Sequence, residues 1–174
     1  MKLTPVMQRY IVHWGEMGSR WGMNRSVAQI HALLYLSSEP LHADQIAETL
    51  GIARSNVSVG LKELAAWELV QVTHVLGDRR DFFTAQHDPW EVIRVIIEGR
   101  KRREIDPTLA VLRECMAQLA NESATPASVR ERIAGQLEFL ETVTSWYESI
   151  KTMPRKTLLK MMRLGHRIAK VLGE

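Results

Sequence analysis

The amino-acid sequence predicts a mainly α fold: a winged helix-turn-helix with a two-stranded β-wing, followed by long C-terminal helices forming a dimerisation region. Three observations carry this. Two short stretches of helical periodicity, Ala43 to Leu50 and one beginning near Arg54, flank a tight turn at Gly51. A β-branched run, Val70 to Val75, follows and can pair with Phe82 to Gln86 around Gly77-Asp78. Beyond the wing, apolar residues recur at helical spacing over more chain than a small head can cover.

The elements follow in order. Pro5 suits the first turn of a helix over residues 5–18, with Val6, Tyr10, His13, Trp14 and Met17 on one side. Gly15, Gly18 and Gly22 weaken its later part and predict an end at Gly18 or Gly22. They make no phosphate loop, because no strand precedes them and no Gly-Lys-Ser/Thr follows. A second helix, Arg25 to Leu36, has Ser26 and Gln29 at capping-box spacing and Val27, Ile30, Leu33 and Leu34 as its core face. His31 reads as its polar edge. Pro40 disfavours helix at Glu39.

In the helix-turn-helix, Leu41 and Ile46 stand at hydrophobic-staple spacing around a start at His42. Ala47 leaves room for a crossing helix, and Gly51 supplies a left-handed stop. Val57, Leu61, Leu64 and Ala65 predict the buried stripe of the next helix. Its other face carries Arg54, Ser55, Asn56, Ser58, Val59 and Lys62. Arg can span the two acceptors of guanine and Asn can pair bidentately with adenine. The serines can reach bases or phosphate, and Lys62 suits a phosphate. At the wing tip, Arg79 and Arg80 can enter a minor groove, with Asp78 or Asp81 pinning one of them. The alternatives are a solvated helix face and a plain polar hairpin tip. Arg25 reads as a phosphate contact or, equally, as a solvated arginine.

These residues resemble the GbsR/MarR family of bacterial winged-helix transcription regulators. The likeness rests on Trp21-Gly22-Met23-Asn24-Arg25-Ser26, Ile30 to Leu36, Leu41 with Ala43 to Gly51, Ser55 to Leu64, Trp67 to Val70 and Gly77 to Asp81. It covers residues 10 to 100 well and the later helices in outline. It implies dimeric, sequence-specific DNA binding under small-molecule control, with the N-terminal helix contributing to the dimer contact. Two departures stand out. Ala53 replaces the usual capping Ser or Asn, a loss of about 1 kcal/mol. His42 replaces Ser or Thr at the preceding helix. Both imply a less rigid reading head.

The 174 residues suit one domain, or a small domain with a helical appendage. The expected division is residues 1–24 as an N-terminal dimer-contact helix, 25–88 as the DNA-binding domain and 89–174 as the helical dimerisation region. The net charge is +3, yet residues 1–100 hold 10 Lys+Arg against 11 Asp+Glu. The head is therefore not basic as a whole, which points to specific binding with a modest salt slope. That balance also supports the alternative reading, a winged-helix module that binds a protein instead of DNA. Cys115 is the single cysteine, which fits a reducing cytoplasm. No signal peptide or membrane-length apolar run is evident.

Asp88-Pro89-Trp90-Glu91 starts a helix that is apolar early and basic late, so Arg100 to Arg103 complement a helix C-terminus. Asp106-Pro107 then resets the pattern, and Leu109, Leu112, Met116 and Leu119 form a seam. Val129, Ile133, Leu137, Leu140, Val143, Tyr147 and Ile150 stripe a further helix. Leu158, Met161, Met162, Ile168 and Val171 form the buried side of the last, Arg155 to Leu172. A homodimer is the simplest cover for these faces. The last helix is basic as well as amphipathic, but a solvated face on a dimerising helix outweighs membrane binding. The six histidines are scattered without metal-ligand spacing, and no catalytic constellation emerges, so neither enzyme, metal nor cofactor is expected. Trp14, Trp21, Trp90, Trp146 and Tyr147 are many large aromatics for this length. They can anchor a core. Regulators similar to the resembled family can sense choline- or betaine-like osmolytes, and that resemblance implies a use for them as an aromatic cage acting by cation–π attraction.

Overall fold

The side chain of Thr4 accepts the amide of Met7 and Pro5 occupies the first helical turn, so the chain turns helical at once. In this computed structural model, residues 1–172 are described, with side chains through residue 165. The order is α1 (Pro5–Arg20), α2 (Arg25–Leu36), β1 (Leu41–His42), α3 (Ala43–Leu50), α4 (Arg54–Ala66), β2 (Val70–His74), β3 (Asp81–Ala85), α5 (Pro89–Arg100), a π-helical turn (Lys101–Ile105), α6 (Asp106–Leu119), α7 (Ala127–Lys151) and α8 (Arg155–Leu172). Two compact units result, Met1–Gly99 and Arg100–Glu174.

In the first unit α2 is the central core helix. Ile30, Leu33 and Leu34 are among its fully buried large side chains. Asn24, not Ser26, caps it: the Asn24 side chain accepts the Ser26 amide at 2.9 Å. The expected side of α1 is found in part: Tyr10 and Trp14 are half-buried against the core and Met17 is half-buried. Ile11, Gly15 and Gly18 are buried, whereas Val6 and His13 are exposed. A Cβ on Gly18 would stand 2.4 Å from the Cβ of Ala28, and one on Gly15 2.7 Å from Gln29 Cγ. The glycines that weaken the helix on its own are the points where the two helices touch.

His31 is no polar edge. It is buried, its Nε2 has no hydrogen-bond partner, and burial pushes its pKa down to about 4. The unfolded chain therefore takes up this proton first. Stability is fully present above the unfolded value near 6.5 and is lost as pH falls toward 4, by about 3 kcal/mol. Urea unfolding at pH 7 and pH 4.5, on the wild type and His31→Leu, tests this. The wild type is expected to lose about 2–3 kcal/mol more than the variant. Equal losses would show that His31 does not favour its neutral form.

Leu41 and Ile46 are both buried around the start of α3. Gly51 ends it in the left-handed region at φ 64°. Val57, Gly60, Leu61 and Leu64 form the buried side of α4, while Ala65, expected there, is exposed. The sheet has three strands in the order β1-β3-β2, one more than expected. Leu41 pairs with Phe83 and His42 with Phe82, and β2 runs antiparallel to β3 from Val70↔Ala85 to His74↔Asp81. A two-residue strand is too short to show an alternating pattern, which is why β1 escapes the sequence.

In the second unit, Asp106-Pro107 does not break the helix. Arg100, Ile105 and Asp106 are all right-handed helical, and the Asp106 amide reaches back five residues to the Lys101 carbonyl. The wider turn accommodates Pro107, which lacks an N–H and would clash in a tight one. Arg100 to Arg103 thus lie within helix, not at its C-terminus. Arg100 pairs with Glu104 at 3.2 Å, and Lys101 sits between Asp106 at 2.8 Å and Glu148 at 3.5 Å. Leu109, Leu112 and Leu119 of α6 are buried, with Met116 half-buried. On α7, Ile133, Leu137, Leu140, Tyr147 and Ile150 are half-buried, and Val129 and Val143 are exposed. Arg130 ties the α6–α7 loop by donating to the carbonyls of Leu119, Glu122 and Thr125. On α8, Leu158 is half-buried, whereas Met161 and Met162 are exposed in the single chain. The side chains of Ile168 and Val171 lie outside the described residues. Among the described residues, no helix is long and apolar enough to cross a membrane.

Candidate nucleic-acid interface

Burying Val57, Gly60, Leu61 and Leu64 leaves the opposite side of α4 to solvent. Arg54, Ser55, Asn56, Val59 and Lys62 are exposed there, and Ser58 is half-buried. Ala53 makes no side-chain cap, so the first amides of α4 lack that acceptor. A helix N-terminus of this kind favours anions.

The first turn of α4 is joined to α3 by a cross-helix pair. Arg54 Nε donates to Asp44 Oδ1 at 2.7 Å, and Arg54 Nη1 donates to Ser58 Oγ. The wing has its own anchor. Gly77, at φ 86°, turns the chain. Asp78 then accepts the Arg80 amide at 3.0 Å and Arg80 Nε at 2.9 Å. These hydrogen bonds hold the Asp78 carboxyl down at about 2. Asp78, of the two aspartates considered, pins Arg80. The guanidinium also lies 5.8 Å from the centre of the Phe82 ring. Arg79 is exposed and has no partner among the described residues.

His42 links the two parts. Its Nδ1 lies 3.4 Å from the Gln45 amide while Gln45 Oε1 accepts the His42 amide at 3.0 Å, a reciprocal capping box. Its Nε2 lies 2.9 Å from Arg80 Nη1. Arginine only donates and a neutral imidazole has one acceptor nitrogen, so the ring accepts either the Gln45 amide at Nδ1 or the Arg80 guanidinium at Nε2, according to its tautomer. His42, noted as a departure from Ser or Thr, still caps α3: the imidazole takes the place of the hydroxyl and, being longer, also reaches the wing. Gln45, three residues on, was the available signal for that box. Nothing in the sequence indicated the contact with Arg80.

Arg54, Ser58, Lys62, Arg79 and Arg80 line one groove of about 460 Å³ between α4 and the wing, together with His42, Asp44 and Asp81. Ser55 and Asn56 lie on the exposed first turn of α4 outside that lining, and Arg25 is exposed at the start of α2. Nothing in the sequence marked Asp44, which stands ten residues before Arg54. The aromatics form a stack: Tyr10 lies 5.7 Å from Trp14 at 9° and 6.4 Å from Tyr35 at 13°. Trp21 and Trp146 are exposed. Among the described residues, no group of three or more His, Cys, Asp or Glu is placed to hold a metal.

Residues 21–81 match the sequence model of the MarR family. The chain is 21% identical over 136 residues to the HTH-type transcriptional repressor GbsR of Bacillus subtilis (strain 168), covering 76% of this chain and 75% of that protein. Among solved structures, the crystal structure of a transcriptional regulator superposes with a TM-score of 0.68 at 15% identity, covering 83% of this chain and 95% of that one. At that identity the superposition speaks for the fold.

Proposed function

Taking as premise that residues 21–81 form a MarR-family domain, we propose that this protein is a transcriptional regulator that binds double-stranded DNA sequence-specifically, as a homodimeric cytoplasmic repressor. The observation that carries the reading is the α4 face. Arg54, Asn56 and Lys62 are exposed beside a wing whose Arg80 is already oriented by Asp78. Arg54, Ser55, Asn56 and Ser58 serve the major groove, Arg79 and Arg80 the minor groove, and Lys62 and Arg25 the phosphates. Residues 1–24 and 89–174 supply the dimer contact around the head of residues 25–88. The exposed Phe139, Val143 and Trp146 on α7 support this, because a second copy would remove them from water.

A small-molecule effector is the finer part of the reading. The resemblance to regulators that sense choline- or betaine-like osmolytes suggests such a cation, which tryptophan side chains could hold by cation–π attraction. The near-neutral charge of residues 1–100 favours one competing reading, a winged-helix module that binds a protein. Fluorescence anisotropy over a salt series, on duplexes enriched from a randomised pool, tests the proposal. Tight binding at low salt with a modest salt slope is expected. Adding millimolar choline or glycine betaine is expected to weaken it. Unchanged isotherms would remove the effector, and no duplex binding by a folded dimer would favour the protein-interaction module.

A further inference from the structure

We propose that Asp44 sets the base preference of the α4 face by holding Arg54 in one presentation, a role that rests on the DNA-binding reading above. A guanidinium offers two edges for bidentate recognition. One joins Nε to a terminal nitrogen, and the other joins the two terminal nitrogens. Asp44 Oδ1 takes the Nε hydrogen at 2.7 Å, which closes the first edge. The two terminal nitrogens remain, Nη1 with one of its two hydrogens given to Ser58 Oγ. Ser58, one turn further along the same face of α4, engages Nη1 and fixes the rotation of the plane. Arg54 is then presented end-on, the form that spans the two major-groove acceptors of guanine.

Stability does not explain the pair. The Asp44 and Arg54 side chains are 62% and 53% exposed, and a pair so solvated contributes little to folding. Asp44 instead places a carboxylate on the α4 side of a groove that holds Arg54, Lys62, Arg79 and Arg80, with Asp81 as its other acidic group. There it opposes every approaching phosphate. Specificity is a difference of affinities, and a carboxylate that lowers the general attraction for phosphate while leaving Arg54 free to span guanine raises that difference. Asp44 is a positioning residue: it acts on the base through Arg54.

The test uses the full chain and anisotropy against three duplexes: the sequence enriched from a randomised pool, the same duplex with one G·C pair replaced, and a scrambled control. Asp44→Ala is expected to bind the scrambled duplex more tightly and to lose about tenfold in discrimination at that pair. Asp44→Asn keeps an acceptor for Nε and is expected to retain most of the discrimination. Asp44→Ala/Arg54→Ala is expected to lose no more than Arg54→Ala alone, because one residue works through the other. Thermal unfolding checks that each variant is folded. Full discrimination by Asp44→Ala, or additive losses in the double variant, would overturn the inference and leave DNA binding standing. Failure of the wild type to bind any duplex would sink both.

Discussion

Replacing Ile30 with alanine is expected to lower the unfolding free energy by about 2–5 kcal/mol, a large share of the roughly 5–15 kcal/mol that holds a domain folded. Ile30 is fully buried in the centre of α2, and its δ-carbon lies 2.7 Å from where a Cβ on Gly60 of α4 would stand. This contact seats the recognition helix on the core, so the cavity left by truncation opens beneath α4. The same geometry makes Gly60 informative. Gly60→Ala adds a carbon against the end of a flexible side chain and is expected to destabilise the wild type. In an Ile30→Val background the crowding atom is gone. There, the better helix propensity of alanine, about 1 kcal/mol, is expected to show. Urea unfolding of the four proteins gives the coupling. Ile30→Ala costing less than about 1 kcal/mol, or additive effects of Ile30→Val and Gly60→Ala, would mean that α4 is not seated on Ile30.

Arg54→Ala and Asn56→Ala carry the largest functional effects. Each removes one side chain able to make a bidentate base contact, with an expected loss of about 1–3 kcal/mol at one base pair of the half-site. The losses concentrate on the preferred sequence and spare scrambled DNA. Both residues are exposed and neither packs in the core, so the fold is expected to survive. Arg80→Ala should differ in kind. Its guanidinium is held by Asp78 at the wing, so its loss is expected to weaken binding evenly across sequences and reduce the salt dependence. Binding isotherms on matched and scrambled duplexes separate the two patterns.

The periodic elements were legible in the sequence because their side chains alone define them. Arg25 to Leu36 and Arg54 to Ala66 follow from apolar spacing, and the Gly51 stop follows from backbone freedom. What stayed hidden depends on approach between elements. Gly15 and Gly18 read as helix weakeners until Ala28 and Gln29 stand against them. His31 reads as a polar edge until the core closes over it. Pro107 reads as a break, but a π-helical turn accommodates it. In the candidate site, the exposed face of α4 and the pinned wing arginine were visible from local pattern. The Asp44–Arg54 pair and the His42–Arg80 contact span 10 and 38 residues and belong to the tertiary fold.

The most direct test of the central claim, that the α4 face reads DNA, is selection from a randomised duplex pool with wild type and Arg54→Ala/Asn56→Ala in parallel. A pseudo-palindrome is expected for the wild type, with half-sites about one helical turn apart. The double variant is expected to lose preference at the positions those two residues contact and to keep the rest. Identical enriched sequences from both proteins would contradict the claim, because the reading face would then lie elsewhere.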